Sequence, residues 1–133
     1  MRKELSMAIK ILLAEDDIQL VDMYSRKFEL DGFETVIAED GQKAIDTFEG
    51  GFVPDIAVLD VMMPMVNGLE VLKYIKDNEK LRDIIVVMLT NLSDEKTAET
   101  IYELGATEYL VKAEFTPLEV SNKIKELIKF YKK

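Results

Sequence analysis

The chain contains no cysteine, which excludes disulfides, thiolate metal sites and a cysteine nucleophile. It contains no histidine either. Imidazole-based serine triads, histidine-bearing zinc sites and a role as phosphohistidine carrier are therefore excluded. Long apolar runs are also missing: one of the longest, residues 84–89, is far short of the roughly 20 residues that a membrane-spanning helix needs. The start is basic and then apolar, but its apolar stretch at 11–14 is too short for a signal peptide and runs into three acids. The cytoplasm is the expected location. Basic residues are scarce as well, with 17 Lys plus Arg against 26 Asp plus Glu and a formal net charge of −9. Phosphate backbones and anionic membranes repel such a chain, so neither direct nucleic-acid binding nor membrane insertion is expected. The chemistry left to it runs on carboxylates, hydroxyls and lysines.

What is present reads as one domain. A length of 133 residues leaves no room for a second, and 48% apolar residues suffice for a full core. Short aliphatic runs fall at 9–14, 35–38, 56–59, 84–89 and 109–111. Several are continuously apolar, as strands buried on both faces of a parallel sheet require. Helical patterns lie between them. Val21, Tyr24 and Phe28 mark the first, stopped by Gly32, and Ala44, Ile45 and Phe48 mark the second, ended by Gly50 and Gly51. Leu69, Leu72 and Ile75 mark the third; Ala98, Ile101 and Tyr102 mark the fourth, stopped by Gly105. The last has the best start signal, with Thr116 as cap, Pro117 at the first helical position, Glu119 completing a capping box, and a stripe of Val120, Ile124, Leu127 and Ile128. Five β-then-α units imply an α/β fold, a doubly wound five-stranded parallel sheet with helices on both faces. Residues 1–8 read as an N-terminal extension and 9–133 as the single domain, with 1–7 and 132–133 as solvated ends.

In an open parallel sheet, function collects at the carboxyl ends of the strands. The first strand ends in Glu15, Asp16 and Asp17, the third in Asp60, the fourth in Thr90 and Asn91, the fifth in Lys112. Glu15, Asp16 and Asp60 would converge as a carboxylate cluster facing a hydroxyl and an ammonium. Such carboxylates repel one another unless a cation joins them, and all-oxygen ligands beside phosphate chemistry favour Mg²⁺. A nucleophile, a metal, a cation and a hydrogen-bond donor are the parts needed to place a phosphoryl group on a carboxylate. Each part alone has a plainer explanation. The acid triplet suits a helix N-terminus, with Asp17 a good cap, at roughly even odds. Thr90 alone is a satisfied strand-end hydroxyl, Lys112 a solvated lysine, Tyr109 a half-buried aromatic, and Met62, Met63 and Met65 loop and core filler. Asp60 is harder to dismiss, because an acid closing a buried apolar strand costs energy unless it is paired. Specificity lies in the joint arrangement.

The segments ILLAEDD (11–17), VLDVMMPMVNG (58–68), VVMLT (86–90) and GATEYLVK (105–112) resemble the receiver domain of two-component response regulators in order and spacing. The resemblance implies a flavodoxin-like sheet in the order 2-1-3-4-5. It implies Asp60 as phosphoacceptor, with Mg²⁺ held by Asp16, Asp60 and the Met62 backbone carbonyl and Glu15 assisting from the outer shell. It also implies Thr90 and Tyr109 as a switch pair and Lys112 as the ion-pair lysine. The expected partners are a sensor histidine kinase or histidine phosphotransfer protein and a separate downstream protein, for a monomer or a weak phosphorylation-dependent dimer.

The departures are specific. The family usually has proline after the lysine, often with a cis bond, and here Ala113 stands there. A cis bond to alanine costs about 2.5–4 kcal/mol, so either the site forces it or the loop takes a different path. The residue after the threonine is usually small; here it is Asn91, whose bulk and amide could narrow access to a phosphoryl group or bond to it. Met62 and Leu92 are apolar where relatives can hold polar residues that position water. On this reading the chain is a stand-alone response regulator with no output domain, and not an enzyme beyond its own phosphorylation and dephosphorylation chemistry. A haloacid-dehalogenase-type phosphatase fails because Met62 occupies the place of its second Asp. A flavodoxin-like FMN carrier fails because the acid triplet would repel the phosphate. A receiver-fold interaction module working without phosphorylation is the alternative.

Overall fold

The apolar runs become five parallel strands in the computed structural model, which describes residues 8–132. They are β1 (Lys10–Ala14), β2 (Glu34–Ala38), β3 (Ile56–Leu59), β4 (Ile85–Thr90) and β5 (Glu108–Val111). Five α-helices alternate with them: α1 (Ile18–Leu30), α2 (Gly41–Glu49), α3 (Gly68–Lys76), α4 (Glu95–Glu103) and α5 (Pro117–Tyr131). The sheet order is β2-β1-β3-β4-β5, as the resemblance implied. Strand ends extend past the apolar runs where polar residues carry backbone pairing that hydropathy cannot show. Glu34 pairs with Lys10, Glu108 with Val87 and Thr90 with Val111. Ile84 falls outside β4, its amide turned to the Leu81 carbonyl.

Alternation along the central strands splits the core in two. Leu12, Ala57, Leu59, Val86 and Met88 face Ala44 and Phe48 of α2, Val71, Leu72 and Ile75 of α3, and Ile101 of α4. Ile11, Leu13, Val58, Val87 and Leu89 face Tyr24 and Phe28 of α1 and Val120 and Ile124 of α5. β3 and β4 are buried along their whole length, so the sheet's centre is fixed and its loops carry the variation. The fourth helical stripe is narrower than the sequence suggested, since Tyr102 is exposed and Ile101 is the buried member. Leu127 and Ile128 are half-buried on α5, and a serine the pattern missed, Ser121, is fully buried, bonded to Asp31 at 2.5 Å. Lys132, expected to be solvated, pairs with Asp55 at 3.1 Å; residues 1–7 and 133 lie outside the described residues.

Helix starts follow capping chemistry. Asp17 caps α1 by accepting from the amides of Gln19 and Leu20, and Thr116 with Glu119 forms the expected capping box of α5. Asn67 and Glu70 form a second capping box at α3. The helix that follows, beginning at Gly68, folds back against the end of β3, with the Gly68 amide donating to the Val61 carbonyl at 2.9 Å. A Cβ at Gly68 would stand 2.0 Å from the Asp60 carbonyl oxygen. Gly68→Ala should therefore force backbone apart at the third strand's end and cost about 3 kcal/mol in urea unfolding; an unchanged midpoint would mean that the loop gives way without strain.

Candidate functional site

The carboxyl ends of β1, β3, β4 and β5 bring the sequence-singled residues to one edge of the sheet. Glu15 follows β1 directly, and its amide prolongs the pairing with β2 by donating to the Ala38 carbonyl at 3.1 Å. Asp60 follows β3, its amide donating to the Ala14 carbonyl at 3.1 Å. Both side chains are buried. Backbone pairing therefore carries two acids into the edge of an apolar core, where they need a cation.

Lys112 supplies it. Its Nζ lies 2.6 Å from Glu15 Oε1 and 2.8 Å from Asp60 Oδ2, with its own side chain only 10% exposed. Burial works against the ammonium, but the hydrogen bonds and charges of Asp60 and Glu15 together outweigh it and hold the lysine above its usual range. Burial also pushes the Glu15 carboxyl up, against the opposing pull of Lys112 and of the Asp17 amide that it accepts at 3.1 Å. The sequence reading paired Lys112 with Asp60; Glu15 as a second partner was not foreseen.

The acid triplet divides its labour. Asp17 is the helix cap, as the plainer explanation held, while Glu15 and Asp16 join Asp60, with one carboxylate oxygen from each within 4.8 Å of the others. Asp16 is exposed and lines a pocket together with Val61, Met62 and Met63. The other Asp60 oxygen, Oδ1, accepts the Met62 amide at 3.3 Å. With Glu15 engaged by Lys112, Asp16 and Asp60 remain the carboxylates best placed for an ion. An all-oxygen, carboxylate-rich set open to water suits a hard divalent cation such as Mg²⁺. Met63 is buried as filler, whereas Met62 and Met65 are exposed beside the site.

On the opposite rim, a pocket of about 300 Å³ is lined by Asp60, Met62, Thr90, Asn91, Leu92 and Lys112. Thr90 is fully buried and its Oγ1 accepts the Leu92 amide at 3.3 Å. Tyr109, half-buried on β5, donates its hydroxyl to the carbonyl of the same Leu92 and meets Tyr102 edge-to-face at 6.4 Å. Burial pushes the Tyr109 hydroxyl up, so it remains a donor at neutral pH. The expected switch pair thus grips one loop residue from both sides. No cis peptide occurs among the described residues. The loop after Lys112 takes the different path, a 3₁₀ turn over Lys112–Glu114, and the Asn91 side chain reaches across to it.

Comparison with known proteins agrees with this geometry. Residues 11–125 match the response regulator receiver domain family. The chain is 35% identical over 120-odd positions, 92% of its length, to the phosphate regulon transcriptional regulatory protein PhoB of Escherichia coli, covering 53% of that protein. It is 34% identical to the transcriptional regulatory protein CpxR of the same organism, over 90% of this chain and 49% of CpxR. Among solved structures, the chemotaxis response regulator CheY4 of Vibrio cholerae superposes with a TM-score of 0.84 at 26% identity, over 91% of this chain and 99% of that one. The chain belongs to the response regulator receiver domain family of two-component systems. It spans about half the length of the curated relatives it matches. No described helix is long and apolar enough to cross a membrane.

The raised Glu15 carboxyl has a consequence for stability. A group whose folded pKa lies above its unfolded value contributes stability that is fully present below the unfolded pKa and lost as pH rises through the folded one. In metal-free buffer, Glu15→Gln should therefore be at least as stable as the parent at neutral pH, with the difference closing as pH falls below the ordinary glutamate value of 4.5. Urea unfolding at both pH values checks this. A variant weaker by more than about 1 kcal/mol at neutral pH would show that the charge-assisted bond to Lys112 outweighs burial.

Proposed function

We propose that this receiver accepts a phosphoryl group on Asp60 from a histidine kinase or a histidine phosphotransfer protein and passes a change of surface to a protein target. The observation that carries the reading is the placement of Asp60 Oδ2 at 2.8 Å from the Lys112 ammonium, within a cluster that includes Asp16 and Glu15. In the transfer, one Asp60 oxygen forms a bond to phosphorus while the phosphorus–nitrogen bond of the donor's phosphohistidine breaks, its electron pair leaving with the imidazole. Lys112 is positioned to follow a phosphoryl oxygen, and Thr90 can donate its hydroxyl to another while still accepting the Leu92 amide. Asp16, Asp60 and the Met62 carbonyl would hold Mg²⁺, with Glu15 in the outer shell. The bound ion would neutralise charge on the phosphoryl oxygens. Thr90 and Tyr109, through their shared hold on Leu92, would carry the change outward. The protein acts on no separate substrate in this reading, and its place is the cytoplasm.

Asp60→Asn should abolish the mass increment that acetyl phosphate and Mg²⁺ produce in the parent. Intact mass spectrometry reads it. Full phosphorylation of the variant would remove Asp60 from the role, and an unmodified parent would leave a receiver-fold interaction module as the better description.

Lifetime follows from the pocket's lining. An acyl phosphate is lost when an oriented water attacks phosphorus in line. Met62 and Leu92 present apolar side chains at this pocket, and neither holds water well. The parent should lose phosphate slowly, and Met62→Asn combined with Leu92→Glu should speed the loss about tenfold, which takes about 1.4 kcal/mol of transition-state stabilisation. Decay of the phosphorylated form after donor removal measures it; equal rates would show that water positioning at these two residues does not set the lifetime.

A further inference from the structure

β4 and β5 pair in parallel as far as Thr90 and Val111, and there the ladder ends. The next residue of each strand's extension matters to the site: Asn91 follows Thr90, and Ala113 follows Lys112. Lys112 opens the 3₁₀ turn Lys112–Glu114, whose leading amides have no partner within the turn itself. The residue at its cap position, Val111, provides no side-chain bond. Asn91 fills the vacancy from the neighbouring strand: its Oδ1 accepts the Ala113 amide at 2.9 Å, across 22 residues of sequence.

We propose that Asn91 is a positioning residue, a strap that fixes the turn carrying Lys112 and thereby holds the ammonium over Asp60. The two departures noted in the sequence are then one feature. A proline at 113 would have no amide to satisfy and would fix its own φ, whereas alanine leaves an amide donor and a freer backbone. The asparagine takes the donor and restores the constraint. Its amide oxygen is committed to the turn, so Asn91 acts on phosphoryl chemistry through Lys112 and not as a gate over the pocket. The distances from Lys112 to Glu15 and Asp60, 2.6 and 2.8 Å, leave little room for the turn to wander.

The inference rests on the phosphoacceptor reading for its effect on rate, but the strap can be tested without it. In the full chain, Asn91→Ala should let the Ala113 amide exchange with solvent at least tenfold faster and should also speed exchange of the Lys112 ammonium protons. Phosphorylation by acetyl phosphate should slow about fivefold, a change of about 1 kcal/mol. Ala113→Pro removes the donor, so adding Asn91→Ala to it should change the phosphorylation rate no further. That non-additivity would not follow from a general loss of stability, which thermal melts record separately. Unchanged Lys112 ammonium exchange in Asn91→Ala would overturn the proposal. So would an unchanged phosphorylation rate, or phosphorylation and phosphate loss that both accelerate, the behaviour of an access gate. If the parent takes up no phosphoryl group, the phosphoacceptor reading falls, while the two exchange measurements still decide the strap.

Discussion

Everything at the functional edge depends on one ammonium held between two buried carboxylates. Glu15 and Asp60 come from adjacent strands whose backbone pairing leaves them no choice of place. Lys112 must arrive from the far side of the sheet, two strands beyond Asp60. Removing these charges from water costs several kcal/mol each, and only close, well-directed contacts offset it. The arrangement is therefore weak support for stability and strong support for specificity. When all are ionised, Glu15, Asp16 and Asp60 against Lys112 leave two negative charges in a small volume. A hard divalent cation relieves that excess, and a phosphoryl group arriving at Asp60 meets a site already built to manage charge.

The sheet supplies the rigidity this requires. Both faces of β3 and β4 are covered, and the helices divide three to one face and two to the other. A closely packed interior transmits displacement poorly by bending and well by switching between discrete arrangements. The loops beyond the strand ends are where alternatives exist. Leu92 is held at its amide by Thr90 and at its carbonyl by Tyr109, so a rearrangement at either side chain is felt by the same peptide segment, which leads into α4. The half-buried Tyr109 and exposed Tyr102 then connect the pocket with the outer surface of α4 and β5.

Most of the fold was legible because its driving features are local. Continuous apolar runs marked buried parallel strands, Thr116–Pro117 with Glu119 announced the last helix, and acids closing apolar strands marked the site. Strand order was not legible from periodicity and came from the resemblance. What escaped were pairings between residues distant in sequence and set by register. Ser121 reads as a surface residue of an amphipathic helix, but α5 packs against the end of α1, and Asp31 receives its hydroxyl. Lys112 was matched with Asp60 because one lysine suits one acid; Glu15 enters because β1 lies beside β3.

Asn91 and Ala113 show the limit most clearly. Each was visible as an unusual residue, and each invited a separate explanation: bulk at the pocket for one, an altered loop for the other. Only the alignment of β4 with β5 places the amide oxygen of one against the amide of the other. A backbone donor left by the absence of proline has to be satisfied, since an unpaired peptide group is costly where water cannot easily reach it. The chain meets that demand from the loop that also carries Thr90, so the turn bearing the ammonium and the loop bearing the hydroxyl are joined by a single hydrogen bond. Two groups directed at the same carboxylate are thereby kept in one frame, and a sequence that changes one end of this link must change the other to preserve it.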